Sequence, residues 1–245
     1  MEFKFLASYI LVLIALFYSY KEKLGVEKEL LWNSLRAFLQ LFVLGYVLFY
    51  VFKLKNPLEL SLILVFMVVF ASYTGQKRVK LKEKGYIVAF LSIFSASFLV
   101  IASLILIGVI SFKPNEIIPV GGMVIGNSLN VYSLTVDRLK GEVSNSMDII
   151  EGMVALGATL KEAFHFINKK AVKSALIPVI NSLQTVGIIH IPGITTGMLL
   201  ASAEPMKAVS YQLVIMYMMV AVALFTGIFT IRFSYRYIIP TVFGR

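Results

Sequence analysis

The sequence predicts an all-α fold: a polytopic membrane helix bundle of about seven transmembrane helices, with a short hydrophilic helix pair held out of the bilayer. Three observations carry this. The chain of 245 residues is 59% hydrophobic and only 15% charged, whereas a soluble domain carries about a quarter charged residues. Its apolar residues gather into long runs free of Asp, Glu, Lys and Arg, most of them near the roughly 17–25 residues a helix needs to cross the hydrocarbon core. Lys and Arg are crowded into alternate connections between those runs.

The elements follow in order. Phe5–Tyr20 is the first run. Met1-Glu-Phe-Lys4 carries no net positive charge and no small-residue cleavage site precedes Lys21, so the run reads as a retained span and not a signal peptide. The second run, Ala37–Phe52, reaches back to Leu30 by tolerating Arg36. Leu60–Gln76, Gly85–Phe112 and Ile117–Val136 supply three more spans. Ser174–Ala203 is 30 residues long and holds Ile191-Pro192-Gly193. Proline removes a backbone donor and clashes with the preceding turn, so the run divides into a span, Ser174–His190, and a shorter helix, Ile194–Ala203. The pair would fold back in the outer leaflet, with Pro192 and Gly193 as a candidate gate. Ala208–Ile231 is the last span.

Orientation follows from the basic residues. Counted over connections between seven spans, alternate loops hold 17 Lys and Arg against 5. Cytoplasmic loops carry this excess, so the N-terminus lies outside, the C-terminus inside, and the chain is a multi-pass protein of the cell membrane. The same distribution accounts for the net charge of +10 by contact with membrane lipid and orientation, with no nucleic-acid partner. The chain has no cysteine, which excludes disulfides, thiolate metal sites and cysteine nucleophiles.

The longest hydrophilic gap, Asp137–Lys173, falls on the cytoplasmic side. Asn145-Ser-Met-Asp148 has the composition of a helix start. Ile149, Ile150, Met153 and Leu156 follow at helical spacing, and Gly157 suits the C-terminus of that helix. Thr159-Leu-Lys-Glu162 is a capping box opening a second helix with Leu160, Phe164 and Ile167 on one side. An amphipathic pair of this kind either lies on lipid or docks a partner. Glu151 and Gly157 have the E-x5-G spacing found in the cytoplasmic loop of ABC-importer permeases, where that loop contacts the ATPase, and Ala158-Thr159 follow as they do there. Glu151, Leu156, Gly157, Ala158, Thr159 and Phe164 are therefore the candidate ATPase-coupling residues of a segment spanning about 138–173.

Polar residues inside spans are costly unless they face protein or water. Asn33, Arg36 and Gln40 share a face of the second span. Asn127 and Asn130 mark the fifth, Asn181 and Gln184 the sixth. Arg36, Gln40, Asn127, Asn130, Asn181 and Gln184 are the candidate lining of a translocation path; interhelical hydrogen bonding is the alternative role. Gly121, Gly122 and Gly126 would let helices approach closely. His165 and His190 are far apart in sequence, and ten methionines are scattered, so no metal site is assigned. No nucleophile–base set lies in the spans and no G-x-x-x-x-G-K-[ST] is present, so the chain is expected not to be an enzyme, nor to bind a cofactor itself.

Five segments make the chain recognisable: KEKLGVEKELLWNSLRAFLQL (Lys21–Leu41), GQKR (Gly75–Arg78), GGMVIGNSLN (Gly121–Asn130), LGAT (Leu156–Thr159) and ALIPVINSLQTVGIIHIPGITTGMLLASAEPMKAVSYQ (Ala175–Gln212). With these the chain resembles the FetB family of ABC-transporter permease subunits, which includes bacterial proteins assigned to iron export and plant aluminium-tolerance half-transporters. The resemblance implies one transmembrane permease domain over residues 1–245, working as a homodimer with a cytoplasmic ABC ATPase subunit that binds the ATP, and exporting iron or another metal. The path residues are amides, hydroxyls and Arg36, a lining that suits a polar or anionic solute or a chelated metal at least as well as a bare ion. A secondary transporter driven by an ion gradient and a non-transporting scaffold are the competing classes. The first usually shows repeated halves and intramembrane acids, neither evident here. The second has no use for a capped helix pair.

Topology is directly testable, since the chain has no cysteine to remove. A cysteine placed at Ser144 is expected to react with a membrane-impermeant maleimide only after the cells are opened. Labelling from outside intact cells would reverse the orientation.

Overall fold

A computed structural model of the chain describes residues 4–81 and 84–243, with side chains described for 7–81 and 84–234. The described residues are helical almost throughout: α1 (Lys4–Lys21), α2 (Glu27–Val51), α3 (Pro57–Val79), α4 (Gly85–Leu106), α5 (Pro114–Asn145), α6 (Met147–Ala155), α7 (Leu160–Thr185), α8 (Gly193–Leu200) and α9 (Pro205–Phe243). Among them α2, α3, α4, α5 and α9 are long and apolar enough to cross a membrane, and Ala7–Lys21 is a shorter apolar helix. The all-α membrane bundle expected from composition is what the chain forms.

Contacts divide the chain into two compact units, Met1–Lys55 and Asn56–Arg245. In the first, α1 packs against α2. The Tyr9 and Ser34 hydroxyls hydrogen-bond at 2.9 Å, and Ser19 donates to the Glu27 carboxylate at 2.7 Å where the two helices join. Nearly all of α2 is exposed within this unit.

The second unit is built around α5, which packs against α3, α4, α7 and α9. Small residues set the spacing. A Cβ on Gly121 would run into the Leu64 side chain, and one on Gly75 would stand 3.0 Å from Tyr132. These two contacts make α3 and α5 run side by side in the same direction. Gly122 lies close to Met67, but nothing within 4 Å would meet a Cβ at Gly126. Two of the three glycines expected to admit a neighbouring helix therefore do so within the chain; Gly126 lies open. The centre is polar at one level. Ser97 of α4 donates to the Ser128 hydroxyl of α5 at 3.4 Å, and Ser128 and Thr226 of α9 share a hydrogen bond at 2.8 Å. All three are buried. In an apolar surround a buried hydroxyl without a partner is expensive, so this contact fixes three helices at one register.

Several expectations for the hydrophilic gap and its neighbour need correction. Asn145 does not begin a helix. It is the last residue of α5, and Ser146, the single residue before α6, makes no side-chain cap. The second hydrophilic helix and the following span are one continuous helix, α7, because no breaker falls between Leu160 and Pro178 and their apolar faces join. Pro178 lies inside α7 without ending it. The helix then stops at Thr185, not His190, where Gly187 takes φ +79°.

The fold-back is also corrected. Gly227 faces Val172 and Ala223 clusters with Ala175, so α7 runs antiparallel to α9. Thr195 of α8 hydrogen-bonds Gln212 of α9 at 3.4 Å across a connection of four residues, 201–204, so α8 is antiparallel to α9 as well. Hence α8 continues in the direction of α7 after a break. Backbone that leaves a helix must find other acceptors for its donors. Gly187 N–H donates to the His190 carbonyl at 3.0 Å, and Ile188 and Ile189 both donate to Thr185.

Ser128→Ala is expected to lower the stability of the purified protein by about 1–2 kcal/mol. A Ser128→Ala/Thr226→Val double-mutant cycle should show a coupling of roughly 0.6 kcal/mol, the usual size of such bonds inside membranes. Thermal melts in detergent check both; strictly additive losses would remove the bond from the account.

Candidate functional site

Two regions of the second unit carry unspent chemistry. One is the hairpin formed by α6 and the start of α7, at the basic end of the bundle. Glu162 and Thr159 close the capping box: the Thr159 amide donates to the Glu162 carboxylate at 2.8 Å, and the Glu162 amide donates to the Thr159 hydroxyl at 3.3 Å. The Thr159 hydroxyl also donates to that carboxylate at 2.7 Å. These bonds, the hydroxyl first, hold the Glu162 pKa below the ordinary carboxylate value. The stabilisation is therefore present at neutral pH and is lost as pH falls through the lowered value.

Gly157 ends α6 at φ +95°. Its amide donates to the Val154 carbonyl and the Ala158 amide to Met153, both at 3.0 Å. This is a Schellman turn, in which the left-handed residue is ordinarily glycine. With Thr159 capping the next helix two residues on, the turn is fixed from both sides.

Burial decides which side chains this hairpin offers. Ile150 of α6 and Phe164 and Ile167 of α7 are buried against Leu139 and Val143 of α5, with Met153 packed beside them. Phe164 was expected to face a partner; instead it fills the interior, because α5 extends far enough to cover that side of the pair. Of the apolar residues left outside, Leu156 is the most exposed, at 91%, with Ile149 at 56% and Val154 and Leu160 less so. Glu151, Gly157 and Thr159 are exposed beside them and Ala158 is half-buried. Helical spacing placed Ile149 and Ile150 together, but only the packing of α5 separates the buried one from the free one.

The other region is a cavity of about 450 Å³ between α3, α5 and α7, lined by Arg78, Asn130, Ser133, Asp137, Lys140 and Pro178 among others. α3 and α7 both pack on α5 but leave this strip of it open. Ser133 donates to the Leu129 carbonyl at 2.9 Å. Lys140 donates to the carbonyls of Val79 and Lys80 at the end of α3, where a cation also complements the helix dipole. Desolvation there pulls the Lys140 pKa below its usual value, and Asp137 one turn away partly restores it.

The expected path residues separate into four groups. Asn130 lines the cavity. Asn181 and Gln184 follow Pro178 along α7 and are exposed within the single chain. Asn127 turns the other way and donates to the Met219 carbonyl of α9 at 3.1 Å, an interhelical tie. Arg36 and Gln40 are exposed on α2, in the other compact unit. Pro192 caps α8 with no side-chain bond and Gly193 begins it; beside them the Thr185 hydroxyl and His190 Nδ1 lie 3.2 Å apart. Among the described residues no group of three or more His, Asp or Glu could hold a metal ion. Arg78, Asp137 and Lys140 were not expected at the site; Arg78 had drawn notice only within the GQKR segment, and Asp137 only as the first charge after its apolar run.

Comparison with known proteins places the chain. The model of the protein family UPF0014 matches residues 3–239. The chain is 36% identical over 227 residues to the "Probable iron export permease protein FetB" of Escherichia coli (strain K12), covering 92% of this chain and 87% of that protein. It is 36% identical over 222 residues to "Protein ALUMINUM SENSITIVE 3" of Arabidopsis thaliana, 91% of this chain and 81% of the other. The "UPF0014 membrane protein YjkA" of Bacillus subtilis (strain 168) is 36% identical over 223 residues, 89% of this chain and 87% of the other. No solved structure matches.

A Cβ added at Gly157 meets nothing within 4 Å, so the cost of a non-glycine residue there is chiefly backbone strain, about 1–2 kcal/mol. Gly157→Leu is expected to speed amide hydrogen exchange in α6 while leaving α3, α4 and α9 protected. Unchanged exchange in α6 would contradict the assignment.

Proposed function

The chain belongs to the UPF0014 family, and from that premise we propose that it is the membrane-spanning subunit of an ABC exporter powered by a separate cytoplasmic ATPase. It is a multi-pass membrane protein, and the reading gives it no catalytic centre of its own. The observation that carries the proposal is Leu156, held almost fully exposed at the tip of a hairpin whose turn is fixed by Gly157 and Thr159. A solvated loop gains nothing by presenting leucine on a rigid turn; a coupling contact does. Glu151 and Ile149 flank it. The partner moves the hairpin, and the α5 extension and α7 carry that motion into the bundle as continuous helices.

Asn130, Asn181 and Gln184 support a homodimer. All three are exposed in the single chain at levels where lipid contact is unfavourable, and a second copy or a water-filled path between copies would cover them. The E. coli relative is named for iron export, and iron is the cargo this reading adopts. A chelated ion, bringing its donors with it, suits faces made of amides and hydroxyls. One feature favours a second reading. An interrupted span such as α7–α8 is common in gradient-driven transporters; transport that continues without any ATPase would select that class.

Purification of the tagged full chain from its native membranes is expected to bring down a P-loop ATPase. Leu156→Asp should abolish this association with the melting temperature unchanged. Phe164→Ala should instead cost about 3–5 kcal/mol as a buried aromatic truncation. Absence of an ATPase from the wild-type preparation, or its retention by Leu156→Asp, would remove the coupling role.

A further inference from the structure

We propose that the cavity between α3, α5 and α7 is a binding site for an oxyanion, a phosphate or carboxylate, that carries a hydrogen-bond donor or ammonium group beside it. The argument starts from what the lining has left to give. Arg78, Asn130 and Asp137 make no hydrogen bond or contact ion pair among the described residues, yet all three open on the same space of about 450 Å³. Lys140 adds its charge while its ammonium is tied to the end of α3.

The charges choose the ligand. Two cations face one carboxylate, so a bare metal cation is disfavoured. Arg78 presents the planar fork that holds carboxylate or phosphate with two bonds. Asp137 only accepts, and Asn130 both donates and accepts, so the group next to the anion must supply a donor. Arg78 and Asp137 line one cavity without forming a contact pair with each other, which leaves room for a ligand to bridge them.

Position limits the source to two. Arg78 and Asp137 stand just past the charge-free runs Leu60–Gln76 and Ile117–Val136, at the membrane surface. A lipid headgroup bearing a phosphate and an ammonium, or a dissolved carboxylate or phosphate, brings the same chemistry; basic pockets between spans on this side commonly take headgroups. The inference rests on the permease reading only for placing this end in the cytoplasm. ATPase co-purification tests that reading and can fail or succeed whether or not the cavity binds.

The test uses the full chain in detergent with two sets of probes. Native mass spectrometry follows added phosphatidylethanolamine and phosphatidylcholine, and titration calorimetry follows citrate and inorganic phosphate. Binding in at least one arm is expected, weakened on the order of tenfold by Arg78→Gln, as for loss of a bidentate charged pair. If the ligand is lipid, phosphatidylethanolamine exceeds phosphatidylcholine and Asp137→Asn erases that preference. If it is dissolved, citrate or phosphate binds and the lipids show no Arg78 dependence. Should Arg78→Gln fail to fold, Arg78→Lys keeps the charge without the fork and is expected to bind several-fold more weakly. The proposal is overturned if neither arm shows binding, or if a folded Arg78 variant binds as the wild type does.

Discussion

The second unit depends on one polar contact in an apolar setting. Ser128 lies at the centre of α5, buried, with Ser97 of α4 on one side and Thr226 of α9 on the other. Leu, Val and Ile side chains hold helices together without choosing a register, since lipid is as apolar as they are. Hydroxyls that must meet do choose one. With that level fixed, Gly121 falls against Leu64 and Gly75 against Tyr132, and α3 can close on α5. The open strip of α5 that carries Asn130, Ser133 and Asp137 is the side that this arrangement leaves over.

The break between α7 and α8 shows the same need in backbone groups: between Thr185 and Gly193 the chain leaves the helix and its amides find acceptors close by. The Thr185 carbonyl takes more than one of them, and a bridge between Val186 and His190 closes the turn. The short α8 is then held by Thr195 on Gln212 of α9.

At the basic end the helices outrun the apolar runs. α5 continues beyond Val136 to Asn145, and α7 begins at Leu160, well before its apolar part. Between them Ile150, Phe164 and Ile167 form a small core of their own. That core ties the α6–α7 hairpin to the end of α5.

How much of this was legible in the sequence depends on the range of the interaction. Apolar composition, the capping box at Thr159 and the glycine at 157 are local or compositional, and each appears in the fold as read. Misreadings came where distant residues decide. Asn145 looked like a cap because nothing nearby shows that α5 would run through it. Phe164 looked free because the residues that bury it, Leu139 and Val143, lie a whole helix earlier. Asn127 and Asn130 looked alike, three residues apart, but one faces the Met219 carbonyl and the other the open cavity. The sequence by itself determined that the chain is a helical membrane protein with a capped hydrophilic hairpin, because hydrophobic length and helix capping are properties of short stretches. Only the tertiary structure decided which apolar and polar faces are spent inside the bundle and which remain, because burial is set by neighbours far away along the chain.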